Sequence, residues 1–407
     1  MAAGALLKSS NFILQSAHTV RQLAPLCRSF SVQLSEQQCY IQELCRNFAE
    51  THLKPKASKL DKDGLFPTEE IKKLTDLGLM GATVSKDLGG LQLDYLSLAI
   101  AVEELSRGCA STGMIASIHN FLYVNLVNER GTEEQKELFL KDYVTGKLGC
   151  FALSEPGAGS DVASISTIAR EDGDYWVLNG TKSWVTSCIE AWGTVVFATV
   201  DPELKHKGIT CFLVPLDAEG VFRGRKQPIM GIRAATACDL NLQNVRIPRS
   251  YMVGAPGEGF RTAMAQLDQA RIGIAAHATG IAQSALDTAI DYAKQRVAFG
   301  KPLTKLPSVI DRLTEMSVLV ETSRLLTYRA ATELSTKNSA MAKYVAGRNA
   351  LTVADHCVQI MGGKGLSTEY DAERHFRDSR GTQIYGGVTD VQKRLIGHFL
   401  LKENDAL

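Results

Sequence analysis

A glycine-rich stretch near the middle of the chain, FALSEPGAGSD at residues 151–161, has the composition of a ligand-binding loop. Gly157 and Gly159 lack side chains, so the backbone N–H groups around them can approach a bound ligand closely. Ser160 adds a hydroxyl group beside them. The same residues are equally compatible with an ordinary turn, and alone they leave both interpretations open.

A second stretch, GTKSWVTS at residues 180–187, suits a planar and polar ligand. Trp184 and Thr186 are two residues apart, so both side chains face the same side of a strand. An aromatic face with a hydroxyl group beside it fits a polar ring system. The competing interpretation is a core tryptophan with a surface threonine. Asn179-Gly180, just before, is a strong hairpin signal and predicts that Trp184 lies on the second strand of a hairpin.

Two stretches in the last third of the chain could hold phosphate groups. In RVAFGKPL, Arg296 offers a guanidinium group, and Phe299 follows three residues later. Arg296 could equally cap the end of a helix before Gly300. In QIMGGKG, residues 359–365, paired glycines bring the backbone close to a ligand or simply end a helix.

Composition and missing motifs exclude several classes of protein. The 407 residues carry a formal net charge of +1 with acids and bases interspersed, so we expect neither nucleic-acid binding nor a polybasic membrane anchor. No apolar run is long enough to span a bilayer. The nine cysteines are scattered without a CxxC pair, which argues against a disulfide framework and a zinc site. P-loop, HExxH and GxSxG motifs are absent, and no glycine cluster fits the dinucleotide-binding fingerprint.

The elements that must position these stretches fall into three blocks. From Glu36 to about residue 147, apolar residues recur three and four apart, which predicts helices. Between about residues 148 and 249, short runs of β-branched and aromatic residues predict a small β domain. From about Gly257 onward, a long helical segment is apolar over much of its circumference and should lie in the middle of a bundle. Two or three more helices are predicted after it, up to Leu401.

The first 35 residues differ from the rest in composition. They contain Lys8, Arg21 and Arg28, many serines and alanines, and no acidic residue before Glu36. This composition predicts a mitochondrial transit peptide at residues 1–30, with cleavage near residues 29–31. The competing interpretation is a disordered basic tail.

Together and in this order, the four stretches on a helical–β–helical frame resemble the acyl-CoA dehydrogenase family. The resemblance runs from about Ser35 to Leu401 and also includes RIGIAAHATGIAQSALD and QIMGGKGLSTEYDAERHFRDSR. It is most like the short-chain and short/branched-chain members. The resemblance implies a mainly α fold with a central β domain: an N-terminal helical domain at 35–147, a middle β domain at 148–249 and a C-terminal helical domain at 257–407.

The resemblance further implies that FAD lies between the β domain and the C-terminal helices, with Thr186 near flavin N5. Arg296 and residues 359–363 would hold the diphosphate and adenine end of the FAD of a neighbouring subunit, which implies a homo-oligomer, typically a tetramer. The implied cofactor-binding residues are Phe151, Leu153, Ser154, Gly159, Ser160, Trp184, Val185, Thr186, Arg296, Phe299, Gln359, Ile360, Met361, Gly362, Gly363, Val388, Thr389 and Asp390.

Substrate and partners also follow from the resemblance. The substrate would be a short-chain acyl-CoA thioester, dehydrogenated between its α and β carbons during fatty-acid β-oxidation or branched-chain amino-acid breakdown in the mitochondrial matrix. Electrons would pass to electron-transfer flavoprotein. The implied substrate-binding residues are Ser160, Asp268, Gln269, Ala270, Arg271 and Gly387.

The implied reaction requires a base that takes a proton from the α carbon of the thioester. Most members of the family carry it as a glutamate after the aromatic residue of an Ile-Tyr-Glu-Gly segment, where this chain has Gly386. A minority carry it just before the helix arginine that corresponds to Arg271, where this chain has Ala270. With both positions empty, no catalytic residue is assigned. Asp390, Asp268 or a hydroxide ion entering the freed space could replace the base.

Two further departures concern the cofactor. Val388 stands where a threonine or serine is usual, and Pro307 stands where a glutamine usually reaches FAD across the subunit boundary. Three hypotheses therefore remain open: an active acyl-CoA dehydrogenase, a catalytically silent protein that binds FAD and acyl-CoA, and a structural protein without FAD.

Overall fold

Helices fill the first block, as the hydrophobic periodicity predicts. The structure is a computed structural model that describes residues 33–404, so the predicted transit peptide lies outside the described residues. Ser35 and Gln38 form a capping box that starts the first helix, and a π-helical turn at Ala49–Leu53 joins it to the second. The helices are α1 (Glu36–Phe48), α2 (Lys54–Asp63), α3 (Thr68–Asp76), α4 (Tyr95–Gly108), α5 (Ala110–Ile118), α6 (Asn125–Arg130), α7 (Glu133–Phe139) and α8 (Lys141–Thr145).

The second block forms a mixed sheet of eight strands, in the order β6-β7-β3-β2-β4-β5-β8, with β1 parallel to β4. The strand β4 is buried along its whole length, which its run of β-branched and small residues permits. The strands are β1 (Gly149–Ala152), β2 (Ile168–Asp172), β3 (Tyr175–Thr186), β4 (Gly193–Thr199), β5 (Ile209–Pro215), β6 (Val221–Arg223), β7 (Ala237–Pro248) and β8 (Met252–Val253).

The hairpin predicted at Asn179-Gly180 is wrong. Both residues lie inside β3, which pairs with β7 on both sides of them, and the register shifts between Leu178 and Gly180. The Asn179 side chain bonds Asn244 of β7, accepting from its N–H group at 2.8 Å. A Cβ atom on Gly180 would lie 2.5 Å from Oγ1 of Thr167, so glycine is needed for close approach. The pair thus forms a β-bulge instead of a turn.

The third block is a helical bundle built around one long helix, as predicted. This helix, α9 (Gly259–Gln295), has 37 residues and packs against α4 and against the later helices α10 (Pro307–Thr332), α11 (Thr336–Met361) and α12 (Asp371–Gly381). Within the described residues four helices follow it, since α13 (Thr389–Asn404) comes last. The sequence predicted two or three. The short α12 buries Ala372, His375 and Ser379, a face too polar for hydrophobic periodicity to reveal.

A small hairpin projects between α9 and α10. Its strands, β9 (Val297–Ala298) and β10 (Lys301–Pro302), are two residues long and pair only with each other. Phe299 at the tip has a φ of +52° and is 90% exposed. Within residues 33–404, no helix is both long and apolar enough to cross a membrane.

Candidate active site

The glycine-rich loop at residues 153–160 is held in place by a buried ion pair. Nζ of Lys182 on β3 lies 2.7 Å from Oε1 of Glu155 and donates to the Leu153 carbonyl at 3.2 Å. Glu155 also accepts from the N–H groups of Ser166 and Thr167. Burial alone would raise the pKa of Glu155, but Lys182 and these donors outweigh it and lower the pKa to about 2. The loop is therefore anchored to the strand that carries Trp184.

The predicted ligand-facing side of this loop is open. A Cβ atom on Gly157 or on Gly159 would meet no atom within 4 Å, and Ser160 is exposed. On its other side the loop contributes Leu153 to an apolar cluster that also contains Ala263 of α9, and Leu267 of α9 packs against this cluster. The structure thus brings the loop to the start of the α9 segment predicted to bind substrate.

Trp184 presents its ring to the outside of the protein. Its backbone adopts a φ of +60° at a second register shift between β3 and β7, and its side chain is 62% exposed. Val185 points inward and is buried, while Thr186 is half-buried. The interpretation of Trp184 as a core residue is therefore wrong, and the interpretation as a ligand-facing ring remains. The open ring beside Thr186 can stack against a planar ligand.

Most of the residues predicted to hold the far end of the cofactor lie on the protein surface. Arg296 directly follows α9 and is exposed, as is Phe299 at the hairpin tip. At the end of α11, Gln359, Gly362 and Gly363 are exposed, and no atom lies within 4 Å of a Cβ atom on either glycine. Ile360 and Met361 are buried, which argues against contact between their side chains and a ligand.

The predicted substrate segment of α9 carries a partly buried ion pair. Arg271 donates to Asp268, and Thr336 of α11 donates to the other carboxylate oxygen at 2.6 Å. Burial raises the pKa of Asp268, and the Thr336 and Arg271 contacts oppose that effect. Burial also lowers the pKa of Arg271. Because both oxygens of Asp268 are engaged, this carboxylate is poorly placed to replace the missing base.

Gln269 and Ala270, between these two residues, face the protein interior. The Gln269 amide donates to both oxygens of Glu129, at 3.0 and 2.9 Å, and accepts from Asn125 and Gln266. Its hydrogen-bonding capacity is thus used within the protein, which argues against the predicted contact between its side chain and substrate. Ala270 is buried and has no ionisable group.

The two glycines at the expected base position form a tight turn before α13. Gly386 and Gly387 have φ values of +66° and +92°, which favour glycine. A Cβ atom on Gly386 would lie 2.0 Å from Cδ1 of Ile274 on α9. The space next to the empty base position is therefore filled by hydrocarbon, which leaves little room for the hydroxide ion considered above.

Two side chains hold the carbonyl groups of these glycines. Nζ of Lys343 on α11 donates to the Gly387 carbonyl at 2.6 Å. The Gln392 amide donates to the same carbonyl at 2.9 Å and to that of Gly386 at 3.3 Å. Three buried polar atoms in or next to this turn have no hydrogen-bond partner among the described residues: Oη of Tyr385, Nε of Arg271 and Oε1 of Gln392. Each of these atoms can form a hydrogen bond with a ligand or a water molecule that enters the turn.

The remaining predicted residues follow this turn. Val388 is half-buried, and Thr389 donates through its backbone N–H group to the Gln383 carbonyl at 3.0 Å. Asp390 is exposed at the first turn of α13, 3.9 Å from Lys393. This exposed carboxylate is thus placed toward solvent, which argues against its replacing the missing base.

Several residues of the site escaped sequence reasoning. The ion pair between Glu155 and Lys182 joins the loop to β3, and its two members are 27 residues apart in sequence. No local sequence pattern therefore reveals it. Lys343 lies within a helical run that reads as an ordinary amphipathic helix. A lysine amid the small apolar residues of AMAKYVAG was the available signal, because lysine is seldom buried.

Comparison with known proteins matches all three parts of the fold to one family. The chain matches the acyl-CoA dehydrogenase N-terminal domain over residues 35–147, the middle domain over 150–245 and the C-terminal domain over 257–401. It is 47% identical over 391 residues to the mitochondrial short-chain specific acyl-CoA dehydrogenase of Rattus norvegicus, which covers 95% of this chain and 93% of that protein.

Solved structures give the same result. Butyryl-CoA dehydrogenase from Megasphaera elsdenii superposes with a TM-score of 0.90 at 39% identity, covering 91% of this chain and 100% of that one. A glutaryl-CoA dehydrogenase from Mycobacterium smegmatis in complex with FADH2 has a TM-score of 0.85 at 30% identity, covering 90% and 95%. The predicted mainly α fold with a central β domain is confirmed, and the chain belongs to the acyl-CoA dehydrogenase family.

Proposed function

We propose that this protein binds FAD and a short-chain acyl-CoA thioester, and removes hydrogen from the α and β carbons of the acyl group. The observation that carries the proposal is the exposed ring of Trp184 beside an open glycine-rich loop. The exposed ring and the bare backbone of the loop together offer a face on which a planar, polar ligand can stack and form hydrogen bonds. Similarity to short-chain dehydrogenases supports the choice of substrate.

The residues around Trp184 fit the isoalloxazine ring of FAD. Trp184 offers a stacking face, Thr186 a hydroxyl group, and the loop at residues 157–160 free backbone next to Ser160. Arg296 and Phe299 extend outward, where they can reach the cofactor of a second copy. We propose that this sharing makes the protein a homotetramer. FAD, when bound, supplies the chemistry that accepts a hydride from the β carbon.

The chain's own residues bind and orient the thioester. Arg271 is fixed by Asp268, which in turn is fixed by Thr336, so the guanidinium group is positioned before substrate arrives. Lys343 and Gln392 fix the carbonyl groups of Gly386 and Gly387, and so the backbone of the turn is also rigid. The apolar wall that includes Ile274 excludes water from the same place.

The cellular setting is part of the same proposal. We place the protein in the mitochondrial matrix, in fatty-acid β-oxidation or branched-chain amino-acid breakdown, with electron-transfer flavoprotein as the electron acceptor. The acid-free, arginine-bearing first 35 residues and the mitochondrial relatives support this setting.

An anaerobic titration with butyryl-CoA tests the function. The purified FAD-containing protein is mixed with the thioester, and the visible flavin band is followed. We expect the band to bleach, because hydrogen leaves the substrate. A band that neither shifts nor bleaches would contradict binding and reaction together.

The second candidate function is a silent protein that binds FAD and acyl-CoA without reaction. The close approach of Ile274 to Gly386 favours it, because the position of the usual glutamate is filled by a methyl group. In that case the same titration shifts the flavin band without bleaching it.

A further inference from the structure

Two lysines of the described chain are almost completely buried, and they differ in their partners. Lys182 is paired with Glu155 at 2.7 Å, as a buried ammonium group requires. Lys343 is 1% exposed, and its hydrogen bond is to a backbone carbonyl, that of Gly387. Among the described residues no carboxylate forms an ion pair with it. A buried lysine in this setting is stable as a neutral amine, and a neutral amine is a base.

The amine lies next to the position that lacks its base. Its acceptor, the Gly387 carbonyl, follows Gly386 directly. Standard backbone dimensions place the amine within about 9 Å of the Cα atom of Gly386. A lysine side chain has four rotatable bonds, so release of the carbonyl lets the amine turn toward a ligand in the turn.

The charged surroundings of Lys343 favour the neutral form. Arg271 on α9 is the positive charge that acts on it, while Asp268 on the same helix is occupied by Arg271 and Thr336. On α13, Asp390 and Lys393 are exposed and lie 3.9 Å from each other. The neighbouring residue of the turn, Tyr385, has a pKa that burial raises well above its ordinary value, so it is uncharged.

Burial lowers the pKa of Lys343 to about 7, and the charge of Arg271 acts in the same direction. An unpaired lysine has a pKa of about 10.4 in water. A substantial fraction of Lys343 is therefore deprotonated at the pH of a mitochondrial matrix, as a general base requires.

We propose that Lys343 replaces the missing glutamate as the base that takes the α proton of the bound thioester. The proposal rests on the function proposed above, since it requires the thioester to lie at the Gly386-Gly387 turn. The amine becomes an ammonium group, the C–H bond breaks, and its electron pair stays on the thioester as the enolate. The proton then returns to the α carbon, or it leaves to solvent after hydride has left the β carbon.

Exchange of the α protons with solvent reports removal of the α proton separately from loss of hydride from the β carbon. The FAD-containing protein is incubated anaerobically with butyryl-CoA in D2O, and deuterium at the α carbon is measured by mass spectrometry. We expect exchange above a protein-free control, with a rate that rises with pH and has its midpoint near 7, because the amine acts only when deprotonated. An exchange rate that does not change between pH 5.5 and 8.5 would overturn the proposal even without a variant.

Substitutions separate the base from a merely positioning lysine. Lys343→Arg keeps a cation that can hold the Gly387 carbonyl, but arginine cannot lose its proton. We expect exchange to fall on the order of 10²-fold in Lys343→Arg and in Lys343→Met. Lys393→Arg, an exposed lysine on α13, is the control and should exchange at the parent rate. If Lys343→Arg exchanges the α protons at the parent rate, Lys343 is only a positioning residue, and its proposed role as the base is overturned.

Binding of butyryl-CoA, measured by calorimetry, distinguishes the two proposals. Binding by the parent protein without exchange would overturn the role of Lys343 and leave the ligand site intact. No binding by the parent protein would overturn the proposed function, and the role of Lys343 with it.

Discussion

Cδ1 of Ile274 lies 2.0 Å from the point where the first side-chain carbon of any residue at position 386 would stand. Gly386 also has a φ of +66°, where other residues are strained by roughly 1–2 kcal/mol. A side chain therefore fits at this position only if the end of Ile274 moves and the turn bears strain.

Gly386→Glu is expected to increase activity and decrease stability. A carboxylate here supplies a base at the position that the family uses, so flavin reduction by butyryl-CoA should accelerate roughly 10²-fold. Urea unfolding should show a loss on the order of 1–2 kcal/mol. Gly387→Glu is the matched control, because its φ is +92° and a Cβ atom there meets Gln392. It should lose stability without the gain in rate, and equal rates for both variants would contradict the assignment of position 386.

The stability of the protein should rise with pH above 7 because of Lys343. Its folded pKa is about 7 and lies below that of the unfolded chain, so between these values the unfolded state binds one proton more. Each pH unit from about 7 to 10 should then add about 1.4 kcal/mol to the free energy of unfolding. Lys343→Met should be more stable than the parent at pH 7, and its free energy of unfolding should not show this rise between pH 7 and 10. Parallel stability curves for the two proteins would refute the assignment.

Lys182→Met should destabilise the protein strongly, because it leaves Glu155 buried without its partner. Loss of one member of a buried ion pair costs roughly 3–5 kcal/mol. Lys141→Met removes a surface ion pair of the same length, 2.7 Å to Glu137, and should cost far less stability because solvent screens the pair. Chemical denaturation of both variants measures the difference.

The ion pair between Glu155 and Lys182 should also make the stability of the protein sensitive to acid. The pKa of Glu155 is lowered to about 2 in the folded protein, so its contribution to stability is complete above the unfolded value of 4.5. That contribution should disappear as the pH falls from 4.5 toward 2, and Glu155→Gln should lack this part of the acid sensitivity.

Trp184→Ala should weaken the binding of FAD without unfolding the protein. Loss of one aromatic stacking partner corresponds to roughly tenfold in affinity. Trp192→Ala is the matched control, since Trp192 is 56% exposed in the same domain and its ring contacts Lys147. Titration of the apoprotein with FAD should show weaker binding for Trp184→Ala alone, and equal affinities for the two variants would place the flavin elsewhere.

Periodicity and composition were enough to predict the three blocks, because each is long and has a consistent pattern. The long helix α9 is apolar on most sides, and such a pattern leaves it only the middle of a bundle. The prediction of a hairpin at Asn179-Gly180 was wrong for a physical reason. Its turn signal is local, whereas pairing with β7 and the close approach of Thr167 depend on residues distant in sequence.

Trp184 and the loop glycines were assigned to a ligand site through the resemblance to a family, because each stretch alone left a core tryptophan or an ordinary turn open. The role proposed for Lys343 was not predictable, because it depends on burial, on the absence of a carboxylate partner within residues 33–404 and on the adjacent Gly387 carbonyl. Gln269 shows the opposite case: its type suits a substrate contact, but Glu129 occupies it.

The ion pair between Glu155 and Lys182 also governs how a ligand is captured. Ordering a flexible loop costs about 1–2 kcal/mol of backbone entropy per residue. Here residues 153–155 are already fixed to β3 in the free protein. We therefore expect a cofactor to bind with little rearrangement of residues 153–155. A chain with glycine at position 386, where the resemblance implies a base in most members of the family, thus has a loop that is already ordered before a ligand arrives.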